Sequence, residues 1–316
     1  MPSKKKNKKT ILGIDIGGTK IACALVANGH IVSKIIKIKT PHGKKILGEI
    51  DKIYKEFAKN NIISAIGVST AGMVNDDGKI VGSTPNISGW EGTEVKGILS
   101  KRYRLPVVVE NDANAACFAD YQIGSAKGSN PLILVILGTG VGGGVIVNGK
   151  LIRGAHYAGG EIGHLPLSYT KQRYCNCGKY DCFEAYASGH GLNALIKHYF
   201  SEKVAKEMTT YKLFRLAKSK KSKELSILSK RILEDWHFYI ALGLSTLIHT
   251  IDPQKIILSG GLSSEVNIKY LSTELEKLVI PALKDKVRNK LVEISILKND
   301  AGLLGAALLA SQHVEL

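Results

Sequence analysis

The sequence predicts an α/β protein built as two similar lobes with a cleft between them. Three observations carry this. Short apolar strand-like runs alternate with segments of helical periodicity. Each half opens on an apolar strand that enters a glycine turn and leaves as a second strand, ILGIDIGGTKIACALV from Ile11 and LILVILGTGVGGGVIV from Leu132, which suggests an old duplication. The chain has 316 residues, roughly two domains of about 150 residues each. Its 44% apolar and 22% charged residues match a folded soluble protein and exclude disorder, collagen and coiled coil.

Taken in order, Ile11 to Val26 reads as strand, glycine turn, strand. Ile46, Leu47, Ile50, Ile53, Tyr54 and Phe57 recur at helical spacing, and Ala65 to Thr70 is a short apolar strand. Val107 to Val109 is another strand, followed by Glu110-Asn111-Asp112 and an alanine-rich helix from Ala113, with Asp112 as N-cap or first-turn acid. In the second half, Leu132 to Leu137 is a strand, Gly138 to Gly144 a glycine turn, and Val145 to Val147 a strand closed by the hairpin signal Asn148-Gly149. Glu224 to Ile251 is a long apolar-rich helix stopped by Asp252-Pro253. Lys255 to Ser259 is a strand entering Gly260-Gly261, and Ala301 to Ala310 is a small-residue helix.

The net charge of +17 is exaggerated by a basic tail, Lys4, Lys5, Lys6, Lys8 and Lys9, and a second basic cluster runs from Lys212 to Arg231. Either could attract an anionic surface, but base-reading motifs are not recognisable and no specific nucleic-acid partner is expected. Asp15, Gly17, Gly18 and Lys20 interrupt any signal-peptide core, and the uncharged run from Gly128 to Gly149 is broken centrally by glycines, so neither export nor a membrane span is expected. Five cysteines, an odd number in a large chain, argue against a disulfide framework and for a reducing, cytoplasmic compartment; Cys23 and Cys117 read as inert core thiols.

Asp15-Ile16-Gly17-Gly18-Thr19-Lys20 resembles a phosphate loop, since glycines let backbone N–H groups approach an anion. It is not a P-loop, because Thr19-Lys20 reverses the required order and a strand follows. Gly138-Thr139-Gly140-Val141-Gly142-Gly143 has the letters of a dinucleotide fingerprint, but the hairpin after it lacks the helix which that motif needs. Alone, each turn could be structural. With Ser259-Gly260-Gly261 they make three glycine turns, each directly after an apolar strand, and two opposed hairpins gripping a nucleoside triphosphate is the better reading.

Phosphoryl transfer to an alcohol needs a carboxylate to accept the hydroxyl proton. Asp112 is the candidate, with helix capping as its alternative role. His164, Cys175, Cys177 and Cys182 supply one imidazole and three thiolates, a set suited to a closed structural zinc site. Glu161 and Glu184 flank it, and a zinc-folded loop could present both to one polyol, although either could be a surface residue.

These motifs resemble the ROK family of sugar kinases, of the actin and hexokinase-like fold class, from Ile11 to Gly305. DIGGTK (Asp15 to Lys20) resembles the family's first phosphate loop, implying ATP contacts from Asp15, Gly17, Gly18, Thr19 and Lys20, with Asp15 near Mg2+. GTGVGGG resembles the second, through Gly138, Thr139 and Gly140, and LSGGL the adenosine-side loop at Gly260 and Gly261. ENDANAA makes Asp112 the base and Asn111 a sugar contact. GGEIGH and CNCGKYDCFEAYASG imply Glu161, His164 and Glu184 at the sugar, and a structural Zn2+ on His164, Cys175, Cys177 and Cys182, with His164 serving both. Asp181 departs from the pattern, standing where the family usually has glycine.

The resemblance implies a small N-terminal lobe of residues 1–113 plus 300–316 and a large C-terminal lobe of residues 114–299 carrying the zinc loop. With ten residues ahead of the first strand, the DNA-binding domain of the family's repressors is not expected. Ser83 to Trp90 resembles the glucokinase branch, with Asn86 at a sugar hydroxyl beside Gly72. STAGMV and CFEAYASG also resemble N-acetylmannosamine kinases, although Met73 stands where some of those carry arginine. The expectation is an ATP- and magnesium-dependent kinase acting on the 6-hydroxyl of a hexose, glucose first, in a homo-oligomer. The alternatives are an N-acetylmannosamine or N-acetylglucosamine kinase, or a sugar-sensing protein without turnover.

Overall fold

The computed structural model describes residues 10–82, 87–219 and 223–314. Its first half runs β1 (Thr10–Ile16), β2 (Lys20–Ala27), β3 (His30–Ile31), β4 (Ile36–Lys39), α1 (Lys45–Ala58), β5 (Ile63–Thr70), α2 (Val95–Tyr103), β6 (Val107–Asn111) and α3 (Asp112–Ile123). The second runs β7 (Leu132–Leu137), β8 (Val141–Val147), β9 (Lys150–Leu151), α4 (Phe183–Ala187), α5 (Gly189–Tyr199), α6 (Glu202–Glu207), α7 (Thr210–Ala217), α8 (Lys223–Ile251), β10 (Lys255–Ser259), α9 (Ile268–Leu278), α10 (Lys284–Arg288), β11 (Val292–Ile294) and α11 (Ala301–Ser311).

The strands form two sheets of one topology, β3-β2-β1-β5-β6, with β4 on β2, and β9-β8-β7-β10-β11. In each, the opening hairpin is antiparallel and the next two neighbours are parallel. The likeness of the two halves therefore extends from sequence to strand order and direction.

Alternation along β1 sends Leu12, Ile14 and Ile16 into a core shared with α1 and α2, whereas Ile11 packs with the α11 side chains Leu303 and Leu304 on the other face. A larger core lies between β7, β8 and β10 and helices α5, α7, α8 and α9. The helices that follow the two sheets are exchanged. α3, which continues from β6, packs on β7 and β8; α11, which comes after β11, packs on β1 and β5; and the two pack on each other. Their approach is set by glycine: a Cβ on Gly67 would lie 2.0 Å from the Ala306 carbonyl oxygen, and one on Gly305 1.7 Å from that of Ala115.

The glycine run of the second half is not one turn. Only Gly138-Thr139-Gly140 turns, and Gly142, Gly143 and Gly144 lie inside β8. Their role is close approach: a Cβ on Gly143 would stand 2.4 Å from Ile162 Cδ1, and one on Gly144 2.5 Å from Cys117 Cβ. Cys23 and Cys117 are buried core thiols, as their apolar surroundings predict. No helix among the described residues is long and apolar enough to cross a membrane.

Since the α3–α11 crossing has no room for a side chain at position 305, Gly305→Val is expected to cost about 3 kcal/mol of stability. Denaturant titration reads this directly, and an unshifted midpoint would show that the crossing can relax.

Candidate active site

Because β1, β5 and β6 are parallel, their carboxyl ends lie side by side, with Asp15 in register with Ser69 and Thr70 with Asn111. Ligands of open α/β sheets gather at such ends. Ser69 Oγ donates to Asp15 Oδ1 at 2.7 Å. Burial pushes the Asp15 carboxyl up to about 6, against the Ser69 hydrogen bond and with the negative charge of Asp112 adding to the rise.

Asn111, not Asp112, caps α3: its Oδ1 accepts from the N–H groups of Ala113 at 2.9 Å and Asn114 at 3.1 Å. Its Nδ2 donates to the Gly72 carbonyl at 3.1 Å. Asp112 is the half-buried first-turn acid, with Oδ1 accepting from Ala113 N at 2.9 Å. Burial raises its pKa against that backbone bond.

Gly17, Gly18, Thr19 and Lys20 make the β1–β2 turn, closed by Gly17 N to Lys20 O at 3.0 Å and gripped by Thr40 Oγ1 on Gly17 O at 2.6 Å. Across the molecule, Gly138 N donates to Gly140 O at 3.0 Å, Gly189 N to Gly138 O at 2.8 Å and Leu262 N to Leu137 O at 3.0 Å. These bonds join the second glycine turn, the start of α5 and the Gly260-Gly261 turn. Gly260 is required by its φ of +86°, and a Cβ there would sit 2.5 Å from Leu137 O.

The ligand atoms of His164, Cys175, Cys177 and Cys182 all lie within 4.8 Å of one another. Cys177 and Cys182 Sγ are 3.7 Å apart, and Cys175 Sγ is 3.9 Å from His164 Nδ1. Ligands on a tetrahedral zinc with bonds of about 2.3 Å are separated by about 3.7 Å, so the residues fit that metal. His164 turns its other nitrogen to Glu161, Nε2 to Oε2 at 3.8 Å.

Glu184 joins this cluster to the second glycine turn, taking the Cys175 thiol on Oε1 at 3.6 Å and the Val141 N–H on Oε2 at 3.0 Å. Burial raises the Glu161 carboxyl, His164 opposes the rise, and the charges of Asp112 and Glu184 reinforce it. Asp112, Glu161, His164 and Glu184 thus meet in one place, while Asn86 lies outside the described residues.

Asp181 has a φ of +58°, the left-handed conformation that glycine adopts without strain. Its carboxylate compensates, accepting from Tyr186 Oη at 2.7 Å, Arg173 N at 2.9 Å and Gln172 N at 3.1 Å. Burial alone would raise this carboxyl, but these donors hold it below its ordinary value.

Residues 11–313 match the family model of the ROK family. The chain belongs to the ROK family. Among ROK relatives, the glucokinase of Halalkalibacterium halodurans is 30% identical, over 96% of this chain and 95% of that protein. A ROK family glucokinase from Streptomyces griseus, solved with glucose and AMPPNP, superposes with a TM-score of 0.79 at 30% identity, covering 96% of this chain and 99% of that one. A candidate N-acetylmannosamine kinase from Listeria monocytogenes also gives 0.79, at 27% identity over the same shares. The ROK fold here is the actin and hexokinase-like one that the motifs implied.

Sequence reasoning missed Ser69, Thr40 and Arg153. The first two touch the Asp15 loop only because distant segments lie alongside it, and Arg153 reaches Glu110 across 43 positions. A pattern read along one segment carries no signal for any of them.

The purified ROK chain is expected to hold about one zinc ion and Cys177→Ser to lose most of it; elemental analysis showing equal metal in both would remove the cluster.

Proposed function

We propose that this chain is an ATP-dependent hexose kinase that phosphorylates the sugar 6-hydroxyl, with glucose as its first substrate. One observation carries the reading: Glu184 bonds both Val141 N, at the second glycine turn, at 3.0 Å and the Cys175 thiol, in the metal cluster, at 3.6 Å. A carboxylate there stands between a nucleotide loop and a polyol-binding loop. The glucose and AMPPNP of the Streptomyces griseus relative support both ligands.

In the proposed reaction Asp112 takes the proton of the sugar hydroxyl as the oxygen bonds to the γ-phosphorus and ADP leaves. Its Oδ1 is tied to Ala113 N, which leaves Oδ2 for the proton. Asn111, already spent as cap and as donor to Gly72, keeps one N–H for a sugar oxygen. Glu161 and Glu184 accept from sugar hydroxyls, whereas His164, with Nδ1 turned to the metal cluster, would donate its Nε2–H to a sugar oxygen, and Glu184 has lone pairs free beyond its two bonds. Gly17 to Lys20, Gly138 to Gly140 and Gly260-Gly261 line the nucleotide. Magnesium, a hard cation suited to the Asp15 carboxylate, would neutralise phosphate charge. His164, Cys175, Cys177 and Cys182 would hold zinc, which would keep the sugar loop folded.

A second reading, N-acetylmannosamine as the sugar, is favoured by the equal superposition on the Listeria protein. An ADP-release assay across hexoses and N-acetylhexosamines decides between them, and binding without turnover on every sugar would make the chain a sensor. Asp112→Asn is expected to lower kcat roughly a thousandfold while sparing sugar affinity; full activity would remove the base. With Asp15 pushed up to about 6, its charge is present above that pH and lost below it. Nucleotide affinity should therefore fall about tenfold for each unit below about pH 6. A flat ATP KM across that range would exclude Asp15 from the nucleotide site.

A further inference from the structure

The chain leaves the second sheet after β9 and crosses to the first lobe before returning with Glu161. Ile152 N is still bonded to Val145 O of β8 at 2.8 Å. The next residue, Arg153, places Nε at 2.7 Å and a terminal nitrogen at 2.5 Å from Glu110 Oε2, at the end of β6. Glu110 is only 2% exposed, and its Oε1 accepts from Asn111 N at 3.0 Å and Asn114 Nδ2 at 3.1 Å. One buried carboxylate therefore touches the Asn111–Asp112 turn on one side and the crossing segment on the other.

The segment is a closed strap. Gly159 N donates to Arg153 O at 2.8 Å, so residues 153–159 form a loop joined at its base. At its tip Tyr157 takes a φ of +60°, which is costly for a bulky residue, and its hydroxyl donates to Asp76 Oδ2 of the first lobe at 3.2 Å. Beyond it, a Cβ on Gly160 would lie 2.8 Å from Gly143 O, so the backbone directly before Glu161 lies against β8 with no room for a side chain. Strain at the tip and two polar grips across the lobes are what a segment under positional constraint requires.

We propose that Arg153 is a positioning residue for the sugar: by gripping Glu110 it holds the strap, and with it Glu161, in register with the Asn111–Asp112 turn. The proposal rests on the sugar-kinase reading of the site. The competing role is neutralisation of a buried carboxylate, which a charge alone would satisfy. The two differ in what happens when the charge is removed together with its partner.

Arg153→Met, Arg153→Met with Glu110→Gln, and Arg153→Lys are compared with the parent for thermal midpoint and for the KM of glucose and of ATP. The single Met variant is expected to lose stability and the double variant to recover it. The double variant should nevertheless keep a glucose KM raised about tenfold, with ATP KM within about twofold of the parent. Arg153→Lys, which keeps the charge but not the two-nitrogen grip, should fall between. A double variant whose glucose KM returns to the parent value, whose ATP KM rises equally, or which does not fold assigns the pair to stability alone and overturns the proposal. Absence of turnover in the parent refutes the kinase reading instead, and the strap is then read from glucose binding by calorimetry, parent against double variant.

Discussion

Backbone contact between α3 and α11 is the constraint from which the rest of the architecture follows. Gly305 lies against the carbonyl of Ala115, and Gly67 of β5 against that of Ala306, at separations no side chain could enter. Such packing fixes relative position through hard repulsion rather than through attraction, and interiors packed this way are rigid. Since each helix covers the sheet of the opposite half, the crossing sets where one sheet stands relative to the other.

The site inherits that geometry. α3 begins at Asp112, directly from the end of β6, while Gly302 in the first turn of α11 meets Asp15 and Ser69, where a Cβ would stand 3.0 Å from each side-chain oxygen. Asp15 and Asp112 are therefore placed by two helices locked together. Burial raises both carboxyls, and the charge of Asp112 adds to the rise at Asp15, so an incoming cation or proton would relieve unfavourable electrostatics there.

What the sequence made legible was whatever depends on local order. β7 and β10 coincide with the apolar runs at Leu132 and Lys255, and the His164, Cys175, Cys177 and Cys182 set closes as its composition implied. The extent of the second glycine turn is not legible in the sequence, because a glycine used for close approach inside β8 is indistinguishable there from one used to turn. Of the two roles open to Asp112, N-cap or first-turn acid, the structure takes the second, and Asn111 one position earlier is the cap. Arg153 was invisible because its partner lies on another strand. Asp181 marks the opposite case: the departure from the family pattern is legible in the sequence, but that its carboxylate anchors Tyr186 and the Arg173 backbone is not.

The exchange of helices between like sheets also bears on ancestry. A single half, cut loose, would leave one sheet face bare and one apolar helix with nothing to lie on, a state prone to aggregation. If both halves descend from one shorter gene, its product could have become a soluble object only by trading helices with a twin. The present chain would then be a fused pair, its two glycine turns the remnants of two identical subunits that later took on separate duties.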